Sequence, residues 1–189
     1  DGIITTFSII AACFGADLNI KYIIAMGFAN LIADGFSMGF GDYISSFFES
    51  KYILSEANKE SIEFETNNDF EVKEMIELYT NEGIDAEDSK KIVDVLISKS
   101  EYKPFFIKSM VSMELGLEIP DKDYKSEIKK EALITFGSFL IFGFIPLLIY
   151  IISHWCRYSN NNTIFIIDCF ITLLTISCLG YIQAHITKQ

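Results

Sequence analysis

Three residues that can bind cations are spaced four apart in one apolar stretch of the chain. Asp34, Met38 and Asp42 share one helix face at this spacing, with Asn30 one turn before them and Glu49 further along. A carboxylate near the centre of a bilayer costs at least about 2.5 to 3.5 kcal/mol to insert, so such residues usually face a cavity or an ion path. The stripe therefore predicts either an ion path or polar contacts with neighbouring helices and the membrane surface.

The side chains of this stripe indicate which ions it would take. Carboxylates alone suit hard ions such as calcium and magnesium, whereas the thioether of Met38 favours softer transition metals. A methionine in a helix nevertheless serves packing most often. Gly35, Gly39 and Gly41 flank the stripe, and small residues at such spacing let helices approach closely. We expect these glycines to serve helix packing.

A second group of candidate ligands lies in the polar middle of the chain. Three pairs at helical spacing could contribute, and they are Glu60 with Glu63, Glu71 with Glu74, and Met110 with Glu114. The glutamates would supply hard ligands and the methionine a soft one. Equally acidic neighbours are Glu56, Glu65, Glu77, Glu82, Glu87 and Asp88. Spacing alone therefore leaves two interpretations open, a metal site and a solvated acidic face.

The two groups of candidates lie in segments of opposite character. Half of the 189 residues are hydrophobic although 22% are charged, and residues 49–131 hold 21 of the 26 acids and 12 of the 15 bases. The remainder contains four apolar runs, each near the roughly 20 residues that span a bilayer. These runs are residues 2–18, 22–48, 132–153 and 163–186. The pattern predicts four membrane helices.

The predicted fold is all-α, with polytopic membrane helices and a helical domain in the cytosol. Membrane helices one and two occupy residues 1–48, the acidic metal-binding domain residues 49–130, and membrane helices three and four residues 131–189. The acidic domain should begin as an extension of the second membrane helix. A break at Asn67, a cap at Asp85 and a first-turn proline at Pro104 divide the rest of it into three helices.

Charge and cysteine content limit the classes of function. An excess of Lys and Arg marks the cytosolic side, although long domains follow this rule less strictly, so the loops 17–21 and 157–162 should face a lumen. A net charge of −11 disfavours nucleic acid as a partner. The four cysteines form no C-x-x-C pair, so neither a disulfide framework nor a thiolate zinc site is indicated.

Several motifs, taken in order, resemble one known family. They are the opening Asp1-Gly2 pair, SMGFGDY at residues 37–43, MELGLE at residues 113–118 and FIPL at residues 144–147. An acidic helical insert separates SMGFGDY from MELGLE. Together these motifs are similar to the vacuolar iron transporter family, and the resemblance covers nearly the whole chain.

The resemblance implies a fold, an activity and a set of residues. Members of the family are homodimeric, proton-coupled antiporters with five membrane helices per subunit that move ferrous iron out of the cytosol. By motif, Asp1 and Met38 match the transport path. The positions that match cytosolic metal ligands are Glu60, Glu63, Glu71, Glu74, Met110 and Glu114. We expect the fifth helix, and whatever precedes Asp1, to lie outside this sequence.

The chain departs from the family pattern in the second membrane helix. Asn30 stands where plant relatives have a glutamate in the path, and Asp34 and Asp42 stand where they have small residues. The path carboxylates are therefore expected to be redistributed along the same helix. We predict a transport path that contains Asp1, Met38, Asp34 and Asp42.

The predicted function is transport of Fe2+ from the cytosol into an organelle in exchange for protons, for iron storage and detoxification. Crowded carboxylates in a low-dielectric site have a raised proton affinity, so luminal acid can release the metal. The predicted partners are divalent metal ions, protons, the lipid bilayer and a second copy of the chain. No cofactor is expected beyond bound Fe2+. The predicted location is a vacuole, another acidic compartment or the endoplasmic reticulum.

Other interpretations keep the fold and change the chemistry. The same path could carry Mn2+, Zn2+, Co2+ or Ca2+, or the acidic domain could be a sensor that gates flux. A membrane-anchored di-iron carboxylate oxidase would use paired glutamates, but such bundles normally carry Glu-x-x-His motifs. The two histidines, His154 and His185, lie outside the acidic segment. We therefore predict a transporter and not an enzyme.

Overall fold

The computed structural model describes residues 1–158 and 160–187. Within these residues it contains seven α-helices, a short 3-10 turn at Ser100–Tyr102 and no strand. The helices are α1 (Gly2–Gly15), α2 (Ile20–Thr66), α3 (Asn68–Asn81), α4 (Ala86–Ile97), α5 (Lys103–Leu115), α6 (Tyr124–Trp155) and α7 (Asn161–Thr187). Ser159 of the predicted loop 157–162, and Lys188 and Gln189 of the predicted segment 131–189, lie outside the described residues. The predicted all-α class is confirmed.

Three of the described helices, α2, α6 and α7, are long and apolar enough to cross a membrane. The first apolar run also forms a helix, but α1 has 14 residues, fewer than the roughly 20 that span a bilayer. It ends at a turn in which Asp17 has a left-handed φ of 54°. The polytopic membrane fold is thus confirmed with three helices of spanning length, where the apolar runs predicted four.

The chain divides into two compact units. The first, which we call the membrane unit, consists of Asp1–Tyr43 and Lys129–Gln189, and the second, the acidic unit, is Ile44–Ile128. The long helix α2 contributes to both, as expected from the absence of a stop signal after its apolar part. This helix continues without interruption from the apolar run into the polar segment.

The membrane unit packs α1, α2, α6 and α7 around one apolar cluster. Its fully or nearly fully buried members are Ile10, Cys13, Ile23, Leu147, Tyr150 and Ile164. Phe165 of α7 stacks on Phe14 of α1 with ring centroids 4.2 Å apart. Many large apolar side chains face outward, among them Leu133, Phe170 and Leu173. An apolar outer surface of this kind is typical of helices that lie in lipid.

Close contact between α2 and α6 depends on glycine. A β-carbon built on Gly39 would lie 2.8 Å from Cβ of Phe136 and 3.0 Å from the carbonyl oxygen of Ala132. Gly35 likewise faces the ring of Phe139, whereas a β-carbon on Gly41 would meet nothing within 4 Å. The packing role expected of the glycines therefore fits Gly35 and Gly39 but not Gly41.

The acidic unit is a helical bundle whose breaks follow the predicted signals. Asn67 separates α2 from α3, and the Asp85 carboxylate accepts a hydrogen bond from the backbone N–H of Glu87 at the start of α4. Pro104 lies in the first turn of α5, which ends at Gly116 with a φ of 65°. The buried core consists of Met75, Val93, Phe106, Ile107, Met110 and Val111. These helices place the candidate ligands described next.

Candidate metal centre and membrane pocket

Three helices of the acidic unit bring three carboxylates together. Glu60 comes from the polar end of α2, Glu71 from the first turn of α3 and Glu114 from the last turn of α5. One carboxylate oxygen from each lies within 4.8 Å of the others, which is close enough to share one cation. We call these three residues the glutamate cluster.

The glutamate cluster is set into the protein on one side and open on the other. Glu60 and Glu71 are each only 5% exposed, whereas Glu114 is exposed to solvent. Oε2 of Glu60 has no hydrogen-bond partner among the described residues. A buried and unsatisfied carboxylate oxygen is costly, so this atom calls for a proton or a cation. The arrangement distinguishes Glu60 and Glu71 from a solvated acidic face.

Crowding makes the cluster hold protons more tightly than ordinary glutamates do. Burial, and after it the neighbouring negative charges, first that of Glu114, raise the pKa of Glu60 to about 7. The pKa values of Glu71 and Glu114 are also raised, mainly by burial and then by the charge of Glu74. A divalent cation would relieve the same repulsion that the protons relieve.

Three lysines of the acidic unit form ion pairs with other acids instead. Lys59 pairs with Glu56 at 2.7 Å, and Lys91 pairs with Glu87 and Asp88. Lys103 forms an ion pair with Glu65. Within the described part of the chain, no lysine or arginine lies within ion-pair distance of Glu60, Glu71 or Glu114. Several of the competing acids of the sequence are thus paired with lysines, while the glutamate cluster has no such cationic partner.

The other predicted ligands of this unit take different positions. Glu63 and Glu74 lie near enough for their charges to raise the pKa of Glu60, but they are not among the three whose oxygens converge. Met110 lies one helical turn before Glu114, and it is 1% exposed in the apolar core beside Met75 and Phe106. The structure thus divides the six predicted ligands into three convergent carboxylates, two nearby carboxylates and one core thioether.

A pocket in the membrane unit contains two of the predicted path residues. Asp1 and Met38 both line a cavity of about 340 Å³, together with the hydroxyl-bearing residues Thr135 and Ser138 of α6. The rest of its wall is apolar and is formed by Gly2, Ile3, Ile134, Phe139, Phe142 and Leu179. A carboxylate, a thioether and two hydroxyls in one pocket could bind a transition metal.

The remaining path candidates form hydrogen bonds with neighbours. The hydroxyl of Thr135 donates to Oδ2 of Asp42 at 2.6 Å, so Asp42 is tied to a residue of the pocket wall. Asp34 accepts a hydrogen bond from the side-chain amide of Asn30 at 2.9 Å, within the same helix. Neither carboxylate lines the pocket that contains Asp1 and Met38. Of the three residues in the stripe, Met38 lines the pocket and Asp42 is hydrogen-bonded to a residue of the pocket wall. Asp34 is hydrogen-bonded within its own helix.

Sequence reasoning missed the hydroxyl groups of α6. Thr135 and Ser138 are three residues apart in an apolar run and so share a helix face. Hydroxyls in membrane helices commonly satisfy themselves locally, which is why this spacing carries little information alone. Only their position opposite Asp42 and Met38 gives them a place in the site.

Comparison with known proteins gives a consistent result. The whole chain, residues 1–189, matches the model of the VIT family. It is 37% identical over 191 residues to the vacuolar iron transporter of Plasmodium falciparum (isolate 3D7), with 100% of this chain and 68% of that protein covered.

More distant relatives agree. Identity to the vacuolar iron transporter of Toxoplasma gondii (strain ATCC 50861 / VEG) is 34% over 192 residues, covering 100% of this chain and 62% of that protein. Vacuolar iron transporter 1 of Arabidopsis thaliana is 26% identical over 187 residues, covering 99% of this chain and 70% of that protein. The match of the family model to the whole chain, together with these relatives, shows that the chain belongs to the VIT family.

Proposed function

We propose that this chain is part of a transporter that moves Fe2+ from the cytosol into an acidic organelle in exchange for protons. The observation that carries the proposal is the glutamate cluster, in which buried carboxylates converge without a cationic neighbour. The names of the relatives, vacuolar iron transporters in Plasmodium falciparum and Arabidopsis thaliana, support iron as the cargo and a vacuole as the location.

The acidic unit collects the metal on the cytosolic side. Glu60, Glu71 and Glu114 supply the first ligands, because their oxygens already converge. Glu63 and Glu74 add negative charge that attracts a cation to the cluster. Met110 supplies a thioether that would favour Fe2+ over Mg2+ and Ca2+, since soft ligands select transition metals.

The membrane unit passes the ion on through the pocket that contains Asp1 and Met38. Asp42 supports this pocket through Thr135, and Asp34 provides a further carboxylate on the same helix. The chain acts as a homodimer, in which a second copy and lipid share the exposed apolar surface. Protons drive the exchange, because protons and metal compete for the same carboxylates and the acidic lumen favours the protons.

Two alternatives differ from this proposal in measurable ways. Transport of Mn2+, Zn2+ or Co2+ would use the same ligands, so the ions must be compared directly. A di-iron oxidase would need ligands for two irons, normally including histidine. The acidic unit contains no histidine, because His154 and His185 belong to the last turns of α6 and α7. The glutamate cluster therefore favours binding for transport.

Anaerobic uptake into proteoliposomes tests the proposal. The protein is reconstituted with an acidic interior and an enclosed Fe2+-sensitive dye, and uptake is followed with the pH gradient intact or collapsed by an ionophore. We expect uptake that depends on the gradient and falls about tenfold or more in Glu60→Gln/Glu71→Gln, since loss of 1.4 kcal/mol in binding corresponds to tenfold.

Glu77→Gln is the matched control, because Glu77 lies on α3 with Glu71 but is exposed and outside the cluster. It should transport as the unchanged protein does. Metal flux that ignores the pH gradient would contradict the antiport, and equal losses in the control would contradict the role of the cluster. Parallel assays with Mn2+, Zn2+ and Co2+ decide the cargo.

A further inference from the structure

A single carboxylate is completely buried in the middle of α7. Asp168 has no exposed surface, although it is an acid in the run IFIIDCFITLL, in which Thr172 is the other strongly polar residue. The Thr172 hydroxyl donates to its Oδ1 at 3.4 Å, which is a long hydrogen bond. Oδ2 has no hydrogen-bond partner among the described residues. This residue does not line the pocket that contains Asp1 and Met38.

Other unpartnered polar atoms lie in the same interior. Tyr150 of α6 is fully buried, packs against Cys13 and Ile164, and has a hydroxyl without a partner within the described residues. Asp168 is near enough to this tyrosine for a negative charge on the carboxylate to act on the hydroxyl. Thr6 of α1 is also fully buried with an unpartnered hydroxyl, on the helix face that contains Cys13. The core of the membrane unit therefore contains more polar groups than packing requires.

Among the residues that the structure describes, no cationic side chain acts on Asp168. The ionisable groups that interact with Tyr150 in this interior are Asp168 and Cys169 of α7 and Cys13 of α1, and none of these side chains can carry a positive charge. The helix α2 contributes apolar side chains such as Ile23 to the same core. Within the described chain, no lysine, arginine or histidine forms an ion pair with Asp168. A buried carboxylate in this setting is far more stable with a proton than without one.

We propose that Asp168 is a proton-binding site of the membrane unit, separate from the metal ligands, and that it couples proton movement to metal movement. This inference rests on the proposed antiport. In the step itself, a proton from hydronium on the acidic side forms an O–H bond with Oδ2 of Asp168 and leaves a water molecule. The reverse step on the other side breaks this bond and returns the proton to water.

The competing interpretation is a structural one, in which Asp168 only bonds Thr172 and supports the packing of α7. An asparagine has nearly the same shape and can accept the same hydrogen bond, but it cannot exchange a proton. Asp168→Asn therefore separates the two roles. Asp17→Asn is the matched control, because Asp17 is an exposed aspartate in a turn of the same unit.

Infrared difference spectroscopy of the full protein in lipid reads proton binding without any transport. The spectrum of each variant is subtracted from that of the unchanged protein, so that bands from the other acids, Glu60 among them, cancel. We expect a carboxylic acid C=O band that titrates with pH to remain when Asp168→Asn is subtracted, and no band at that frequency to remain when Asp17→Asn is subtracted. If the asparagine variant fails to fold, Asp168→Glu retains the acid and should shift the frequency of the band. The proposal is overturned if no such band remains when Asp168→Asn is subtracted, or if the band is unshifted in Asp168→Glu.

Fe2+ uptake then tests the coupling. In the unchanged protein, uptake with the pH gradient should exceed uptake without it several-fold, whereas in Asp168→Asn this ratio should fall to about one. An unchanged protein that ignores the gradient would refute the proposed antiport. A gradient-dependent unchanged protein with an equally gradient-dependent Asp168→Asn would refute coupling by Asp168 alone.

Discussion

At the scale of single residues, Glu60 is the most unusual group in the acidic unit. It is buried, its Oε2 has no partner among the described residues, and its pKa is raised to about 7. A raised pKa means that the folded protein binds this proton more tightly than the unfolded chain does. Without metal, the stabilisation is complete below the ordinary glutamate pKa near 4.5 and is lost as pH rises to about 7.

The metal-free acidic unit should therefore lose stability between about pH 4.5 and 7, and Fe2+ should restore it. Hydrogen–deuterium exchange of α3 and α5, with a chelator present, measures this local stability. Glu60→Gln should flatten the pH dependence because the glutamine cannot ionise. Glu77→Gln should leave it intact, and a flat profile in the unchanged protein would contradict the crowding that we describe.

Met110 offers a second prediction at this scale. Met110→Leu keeps the size and apolar character of the side chain, so the fold should change little. It removes the thioether, so the affinity for Fe2+ should fall while that for Mg2+ stays constant. Met75→Leu is the control, because Met75 is equally buried in the same core. Equal Fe2+ affinities in the two variants, measured by anaerobic calorimetry, would restrict Met110 to packing.

At the scale of helices, the contact between α2 and α6 has the least room for change. Gly39→Ala places a β-carbon 2.8 Å from Cβ of Phe136, so the helices must separate. Overpacking of this kind typically costs about 1 to 3 kcal/mol. We expect a lower unfolding temperature in detergent for Gly39→Ala and no decrease for Gly41→Ala, whose β-carbon is free of contacts. Equal unfolding temperatures for Gly39→Ala and Gly41→Ala would contradict the close contact between α2 and α6.

Most helix boundaries could be predicted because their signals are local. Asn67, Asp85 and Pro104 act through their own backbone or the first turn, so spacing in the sequence places them correctly. The length of α1 was harder to predict from the sequence, because an apolar run does not show that the helix ends before the turn at Asp17. Which of the many acids converge depends on which helices pack together. Spacing in the sequence therefore could not identify Glu60 and Glu71 as the buried members of the cluster.

For Asp168 the local sequence did contain a signal, but it was not used in the prediction. A lone acid in an apolar run is itself a signal of a functional or buried carboxylate in a membrane helix. The local sequence thus contained the information, but the spacing of Asp34, Met38 and Asp42 had suggested a single stripe on α2. Among the described residues, the unpartnered side-chain oxygens of Thr6, Tyr150 and Asp168 show that a second polar interior exists in the unit.

At the scale of the whole molecule, metal and proton binding are linked. Below about pH 7, Glu60 carries a proton in the metal-free protein, so Fe2+ must displace it. We expect proton release on Fe2+ binding near pH 6 and almost none near pH 8. Calorimetric titrations in two buffers with different ionisation enthalpies measure the number of protons released. A buffer-independent enthalpy at pH 6 would contradict this linkage.

The exposure of Glu114 has a consequence for how long an ion would stay. A cation held between Glu60, Glu71 and Glu114 keeps one side toward water, because Glu114 is exposed while the other two are buried. Water can then replace the protein ligands one at a time from that side, which shortens the residence time. A storage site would close over its metal. A centre with one open side suits brief capture and rapid delivery instead.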